Sequence, residues 1–375
     1  MKKVFLVANA GFTLTNFRRD IILRLKELGH EVVLVCPFDK QLDPYFQDEL
    51  EKLKVRHQII SLNRKGLNPF KDLSLIIELY NLFVGEKPDI VLNYTIKPVI
   101  YSSLAAKMAG VPSINSFITG LGHVFTSQSK KTKILKFIVS TLYKISLKGN
   151  SNVFFQNPDD LKVFTEGHLI WKDKTFMTNG SGVNLEKFKP SQREKIPRSF
   201  IFIGRLLRDK GFFELIEAFK KAKDNNLECR FYVCGALDEL NPAAITKHEL
   251  EQLIKEELFE YIPYTNDVPK LLADKEVFIL PSHREGTPRS TLEAMAMGLP
   301  IITTDAPGCR ETVKDKSNGF LVPVGNAMEI YDKISYFVKT PSAIKVMGER
   351  SLEIVKVKYD VIKVNNKILN KIGLL

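Results

Sequence analysis

Two glutamates eight positions apart, Glu285 and Glu293, are the residues whose spacing most suggests chemistry. They stand in Pro281-Ser282-His283-Arg284-Glu285-Gly286-Thr287-Pro288-Arg289-Ser290-Thr291-Leu292-Glu293-Ala294-Met295-Ala296-Met297-Gly298-Leu299-Pro300. The pattern predicts a buried strand ending at Pro281, a loop carrying Gly286 and Pro288, and a helix starting near Ser290. Such a turn points backbone N–H groups and the positive end of a helix dipole into a crevice, which suits a phosphate. Glu293, three residues into the helix, can face the loop. A carboxylate there accepts hydrogen bonds from a ribose diol, as the acidic residue of dinucleotide sites does. Glu285, on the loop, is placed to hold a sugar hydroxyl. Taken alone, the same spacing also describes a helix start whose dipole is matched by Glu293, with Glu285 solvated.

A pair of cations offers complementary charge. In Phe202-Ile203-Gly204-Arg205-Leu206-Leu207-Arg208-Asp209-Lys210-Gly211, Arg205 at a strand end can grip a phosphate with its forked guanidinium, and Lys210 adds a point charge. In isolation the two are also an ordinary pair of solvated surface cations.

The elements that must position these groups follow from the alternation of short β-rich runs with helical patterns. That alternation is the mark of parallel sheets with crossover helices. Val4–Ala8, Glu31–Cys36, Val55–Ile60, Asp89–Tyr94, Ser113–Ile118, Asn152–Gln156 and Thr175–Thr178 read as strands, with helices between them. Residues 186–198 turn polar, with Pro190 and Pro197, and read as a linker. A second series follows, with strands at Phe200–Ile203, Arg230–Val233, Val277–Leu280, Pro300–Thr304 and Gly319–Val322. The predicted fold is therefore α/β: two doubly wound Rossmann-like domains facing each other across a cleft. Residues 1–185 form the first, 186–355 the second, and 356–375 a last helix that can cross back to the first. Ligands of such sheets bind at the carboxyl ends of the strands.

Composition narrows the class. The chain has 375 residues, 44% of them hydrophobic and 26% charged, as in a globular protein with ample core. Its four cysteines, Cys36, Cys229, Cys234 and Cys309, lack metal-ligand spacing and are expected to be reduced thiols of a cytoplasmic protein. No secretory signal is expected from the short apolar run at Val4 to Val7. Residues 1–190 carry 27 Lys and Arg against 17 Asp and Glu, so the first half holds most of the net charge of +12. A basic half suits an anionic surface or a phosphorylated ligand. No pattern of a nucleic-acid-binding module accompanies it, and no nucleic-acid partner is expected. No G-x-G-x-x-G follows the first strand, which argues against a nicotinamide dehydrogenase.

The segment 285–300 resembles the E-G-x-P-x-x-x-L-E-A-M-A-x-G-x-P signature of the family 4 retaining glycosyltransferases, which have the GT-B fold. Residues 202–211 resemble that family's G-R-L-x-x-x-K-G stretch. The resemblance implies a nucleotide-sugar site made of Gly11, Arg205, Lys210, Tyr264, Glu285, Gly286, Thr287, Pro288, Arg289, Ser290, Thr291, Leu292 and Glu293. In it Glu293 binds the ribose, Glu285 lies near the donor-sugar hydroxyls, and the amides around Ser290–Leu292 hold the diphosphate. Arg205, Lys210 and Glu285 are the implied catalytic residues. Departure of a nucleoside diphosphate leaves charge on its β-phosphate, so cations fixed there lower the barrier. The chain contains no D-x-D pair, and neither a metal nor another cofactor is expected.

On the acceptor side the family's F-H-T-like segment corresponds to Phe117-Ile118-Thr119-Gly120-Leu121-Gly122-His123, where Ile118 holds the place of the histidine. His123 is then either an acceptor residue or an incidental loop histidine. Asn16, Arg18, Lys97 and Thr119 sit in segments similar to the subgroup that builds lipid-linked bacterial glycans. That similarity implies a UDP-sugar donor, UDP-N-acetylgalactosamine or a related N-acetylhexosamine, and a polyprenyl-diphosphate-linked sugar acceptor. Arg18 and Lys97 become candidates for the acceptor diphosphate, or are simple surface cations. Another donor sugar with an O-antigen or capsule acceptor, or a non-catalytic nucleotide-binding protein, are the alternatives. Residues 124–150 hold six lysines and no acid. Lys130, Lys131, Lys133 and Lys136, interleaved with Ile134, Phe137 and Ile138, read as a basic amphipathic helix for an anionic membrane surface. The competing reading is a surface helix with a solvated lysine face. The expected location is peripheral, on the inner face of the cell membrane.

Overall fold

The computed structural model describes residues 1–38, 46–63, 66, 68–121, 130–238, 241 and 243–375; the side chains of 130–132 lie outside that description. Two compact units share the chain, Met1–Ser181 with Val364–Leu375, and Gly182–Lys363.

The first unit is a seven-stranded parallel sheet. Its strands are β1 (Lys3–Val7), β2 (Glu31–Cys36), β3 (Arg56–Ile59), β4 (Ile90–Tyr94), β5 (Ser113–Ile118), β6 (Asn152–Phe155) and β7 (Thr175–Met177). Their order is β3-β2-β1-β4-β5-β6-β7, so strand order reverses between β1 and β4. Near-continuous apolar runs such as VFLV and IVL are what a strand buried on both faces requires. Helices α1 (Gly11–Thr15), α2 (Arg19–Glu27), α3 (Phe46–Leu53), α4 (Pro69–Glu86), α5 (Ser103–Met108), α6 (Lys130–Leu147) and α7 (Pro158–Glu166) supply the crossovers. Leu75, Leu79 and Phe83 of α4, Val139 and Tyr143 of α6, and Phe164 of α7 fill one face of the sheet. Ile22, Leu25, Phe46 and Leu50 fill the other.

The second unit is a six-stranded parallel sheet of β8 (Ser199–Ile203), β9 (Arg230–Cys234), β10 (Glu260–Ile262), β11 (Val277–Leu280), β12 (Ile301–Thr304) and β13 (Gly319–Val322). The order β10-β9-β8-β11-β12-β13 places the switch between β8 and β11. Helices α8 (Phe212–Asp224), α9 (Lys247–Lys255), α10 (Val268–Leu272), α11 (Arg289–Ala296), α12 (Ala327–Lys339) and α13 (Ser342–Ile354) cover it. The last helix, α14 (Val361–Lys371), leaves this unit, and its Val364, Ile368 and Leu369 are buried in the core of the first.

Candidate active site

Strand β11 is fully buried and ends at Leu280, just before Pro281, and α11 begins at Arg289 with Pro288 as N-cap and no side-chain cap. The positive end of the dipole is therefore not matched by a capping oxygen of its own chain segment. Thr291 in the first turn is wholly buried, and its hydroxyl finds no hydrogen-bond partner among the described residues. Leu292 and Ala294–Ala296 point into the core and fix the helix against the sheet.

Glu293 is buried, and its carboxylate accepts from Arg289 Nε at 2.9 Å, one helical turn earlier. Burial pushes its pKa up, opposed by the charges of Arg289 and Lys187. A buried carboxylate held against a cation at a helix start is a preset acceptor for a ligand's hydroxyl groups.

Glu285 meets Lys210 in an ion pair of two largely buried side chains. Local backbone chemistry brings this about. The short 3₁₀ turn Arg208–Lys210 ends at Gly211, whose φ of 70° lies in the left-handed region. A Cβ there would lie 2.0 Å from the carbonyl oxygen of Pro281, so only glycine permits the approach. The carbonyl of Asp209 then accepts from the backbone N–H of His283 and from the Ser282 hydroxyl, each at 2.9 Å. On the other side, the N–H of Glu285 donates to Pro307 at 2.9 Å. Gly308, φ 80°, lets that loop press on the carbonyls of Glu285 and Gly286. The turn after β8 and the loop after β11 are thus tied together at the switch point, with Lys210 and Glu285 between them.

Arg205 takes a different partner. It is more than half exposed and reaches Asp238 at 3.1 Å. Gly204 and Gly235 pack backbone to backbone beside it, since a Cβ on Gly235 would lie 1.9 Å from the Gly204 carbonyl oxygen. Tyr264 is half exposed, and its hydroxyl donates to Asn266 at 2.6 Å. Tyr261 donates to the Gly235 carbonyl at 2.8 Å. Gly286 and Pro288 are buried, and Thr287 is half-buried in the same loop.

In the first unit, Gly11 opens helix α1, with the extended Ala10 as its N-cap. Its lack of a side chain is explained by the Phe46 ring, 2.4 Å from where a Cβ would sit. Asn16 caps the end of the same helix. Arg18 is buried, so the surface-cation reading does not hold for it. Its guanidinium lies over the Tyr94 ring at 4.4 Å and donates to the Ser181 hydroxyl at 2.6 Å. Tyr94 in turn stacks on Phe117 and Phe117 on Phe154, with ring centroids 4.5 Å apart in each case. These three rings sit in register on β4, β5 and β6. The cation is therefore held on an aromatic ladder that only strand pairing assembles.

Lys97 follows β4 and pairs with Asp72 of α4 at 2.9 Å, both side chains nearly buried. Between Tyr94 and Lys97, Thr95 has φ 70°, a left-handed conformation that is strained for a β-branched residue, and its hydroxyl is buried. Its type alone gave no sign of this. Thr119 is half-buried after β5, and His123 lies outside the described residues. Asp238, Asp72 and Ser181 were not legible as partners, because each lies 25 or more positions from the cation it meets. Among the described residues no three His, Cys, Asp or Glu side chains converge as a metal-ion site. The four cysteines are free, and burial holds the Cys309 thiol up at about 12.

On α6, Val139, Tyr143 and Leu147 are buried, whereas Ile134, Phe137, Ile138 and Ile145 are exposed beside Lys133 and Lys136. Among the described residues no helix is long and apolar enough to cross a membrane.

Residues 3–157 match the family model described as Glycosyl transferase 4-like, and residues 184–353 match that of Glycosyl transferases group 1. The chain belongs to these family 4-type glycosyltransferases and has their GT-B architecture of two Rossmann-like domains. It is 27% identical to the N,N'-diacetylbacillosaminyl-diphospho-undecaprenol α-1,3-N-acetylgalactosaminyltransferase of Campylobacter jejuni, over 90% of this chain and 89% of that one. It is likewise 27% identical to the UDP-Gal:α-D-GlcNAc-diphosphoundecaprenol α-1,3-galactosyltransferase of Escherichia coli, over 90% and 87%. Among solved structures, HepE of Anabaena in complex with UDP shares its fold with a TM-score of 0.79 at 17% identity, each chain fully covered. A glycosyltransferase from Rickettsia africae superposes with a TM-score of 0.78 at 20% identity, covering 100% of this chain and 98% of that one.

Proposed function

We propose that the protein moves an N-acetylgalactosamine or related N-acetylhexosamine, with retention, from a UDP-sugar to a polyprenyl-diphosphate-linked sugar. The observation that carries the transfer chemistry is the Lys210–Glu285 pair, fixed beside the start of α11 with Glu293 buried one step behind. The lipid-linked acceptor is supported by the activities for which the Campylobacter and Escherichia relatives are named, both on undecaprenyl-diphosphate sugars.

In this reading Glu293 accepts from the ribose diol, and the amides of Ser290 and Thr291 receive the diphosphate at the positive helix end; the Leu292 N–H, expected to join them, instead donates to the Pro288 carbonyl at 3.2 Å as the first bond of the helix. As the bond to the anomeric carbon breaks, negative charge grows on the β-phosphate. Lys210 is rigidly placed to neutralise it, and Arg205 joins by exchanging Asp238 for phosphate. Glu285 orients the sugar through a hydroxyl while keeping the Lys210 ammonium in place. Tyr264 lies in the base-binding region. Arg18, Lys97, Asn16 and Thr119 serve the acceptor diphosphate and its first sugar. Helix α6 docks on anionic lipid, a reading supported by the exposed Ile134, Phe137, Ile138 and Ile145 among its lysines.

The test is a panel of UDP-sugars with a synthetic polyprenyl-diphosphate sugar, followed by identification of the product's anomer. An α-linked N-acetylhexosamine product is expected. UDP-galactose or UDP-glucose as sole donor would correct the sugar, and no UDP release with any donor would overturn the transfer itself.

A further inference from the structure

Helix α4 is apolar on two faces. Leu75, Leu79 and Phe83 are buried against the sheet. The opposite face presents Phe70, 86% exposed, with Leu73, Ile77 and Val84, at the 3-4-7 spacing of a continuous stripe. An ordinary surface helix is polar there.

The acids of α4 are drawn away from that stripe. Asp72 is held by Lys97 at 2.9 Å, and Glu78 accepts from the backbone N–H of Ser61 at 3.0 Å. Glu86 accepts from Arg56 at 2.7 Å and from Lys3 at 3.0 Å. Lys71, beside Phe70, is left exposed. Helices α4, α5 and α6 form one layer on the same face of the sheet, with α5 and the turn before it packed against both others. Neither α5 nor α6 contains an acid, while Lys107, Lys133, Lys136 and Lys144 are exposed on them.

We propose that α4 is a second lipid-facing helix, so that the α4–α5–α6 layer rests on an anionic membrane surface through two apolar stripes. The inference deepens the membrane reading of α6 and rests on it. The charge decides the occupant. A second copy of the layer would bring lysines against lysines, whereas anionic headgroups neutralise them. The stripes then bury their apolar side chains at the acyl boundary.

The chain has one tryptophan, Trp171, exposed on a loop. A Trp171→Phe background with Phe70→Trp therefore gives a reporter on α4 alone, and Leu73→Trp gives a second. Vesicles of phosphatidylcholine and phosphatidylglycerol with brominated acyl chains quench a tryptophan that inserts. Quenching of both reporters is expected, and Phe70→Ser with Ile77→Ser should lower vesicle partitioning about tenfold while UDP binding is kept. Sedimentation with vesicles but no quenching, and wild-type partitioning of the serine variant, would overturn the role of α4 and leave α6 standing. No sedimentation of the full chain at low salt would overturn both. A dimer seen by analytical ultracentrifugation that the serine variant dissolves, without vesicle binding, would assign the stripe to a second copy.

Discussion

Lys210 and Glu285, 75 positions apart, form an ion pair whose backbones are joined by Asp209 accepting from His283 and Ser282. In the proposed transfer, the charge that develops on the leaving phosphate meets a cation held in place in advance.

Replacing Lys210 with Ala should therefore raise the barrier by roughly 2–4 kcal/mol, about 30-fold to nearly a thousandfold in kcat/KM. Arg205→Ala should fall in the same range if the guanidinium leaves Asp238 for phosphate. Steady-state kinetics decides this, and single mutants that keep more than about a third of wild-type kcat/KM would remove both from the chemistry.

The two glutamates should separate in a titration of UDP. Glu293→Gln weakens UDP binding, and Glu285→Gln leaves it nearly intact while lowering turnover. Equal losses by calorimetry would refute that division.

Burial of Glu293 also makes a pH prediction. Its folded pKa is raised, so its contribution to stability is fully present below the unfolded value of about 4.3 and is lost as pH rises through the folded pKa. Glu293→Gln, which cannot ionise, should thus have a higher Tm than wild type near neutral pH, with the gap closing as pH falls towards 4. A constant gap across that range would show that desolvation of the carboxylate is not the cause.

Lys97 and Asp72 are a nearly buried pair, and Tyr101 also bonds Asp72. Lys97→Met should lose about 3–5 kcal/mol of stability, because an uncompensated carboxylate is left behind. Adding Asp72→Asn should recover part of that. Denaturant unfolding tests it; unchanged stability with lost transfer would make Lys97 an acceptor residue only.

Changing Lys130, Lys131, Lys133 and Lys136 to Gln should release the protein from anionic vesicles while sparing UDP binding. Each lysine near such a surface is worth about 1 kcal/mol, and added salt weakens the attraction. Wild-type sedimentation of the quadruple variant at low salt would return α6 to an ordinary surface helix.

The loop and helix from Pro281 to Pro300 were legible in the sequence because everything they need is local: a buried run, Gly286 and Pro288 to turn, and Glu293 one turn into the helix. The alternation of strands and helices was legible for the same reason, since period-2 and period-3.6 patterns are set by neighbours a few residues apart. Arg18 was visible as a cation but not as a buried one, because its seat is a ladder of Tyr94, Phe117 and Phe154 from three separate strands. The partners of Arg205, Lys97 and Lys210 were hidden likewise, as an ion pair across distant segments leaves no mark of spacing in either one. On α4 the sequence shows apolar residues over most of the helix circumference, outside a stripe of Lys71, Ser74, Glu78 and Asn81, and only packing decides which of them the sheet covers. Composition determines how much apolar surface must be buried; the tertiary structure alone selects which surface stays open, because that choice belongs to the shape of the partner.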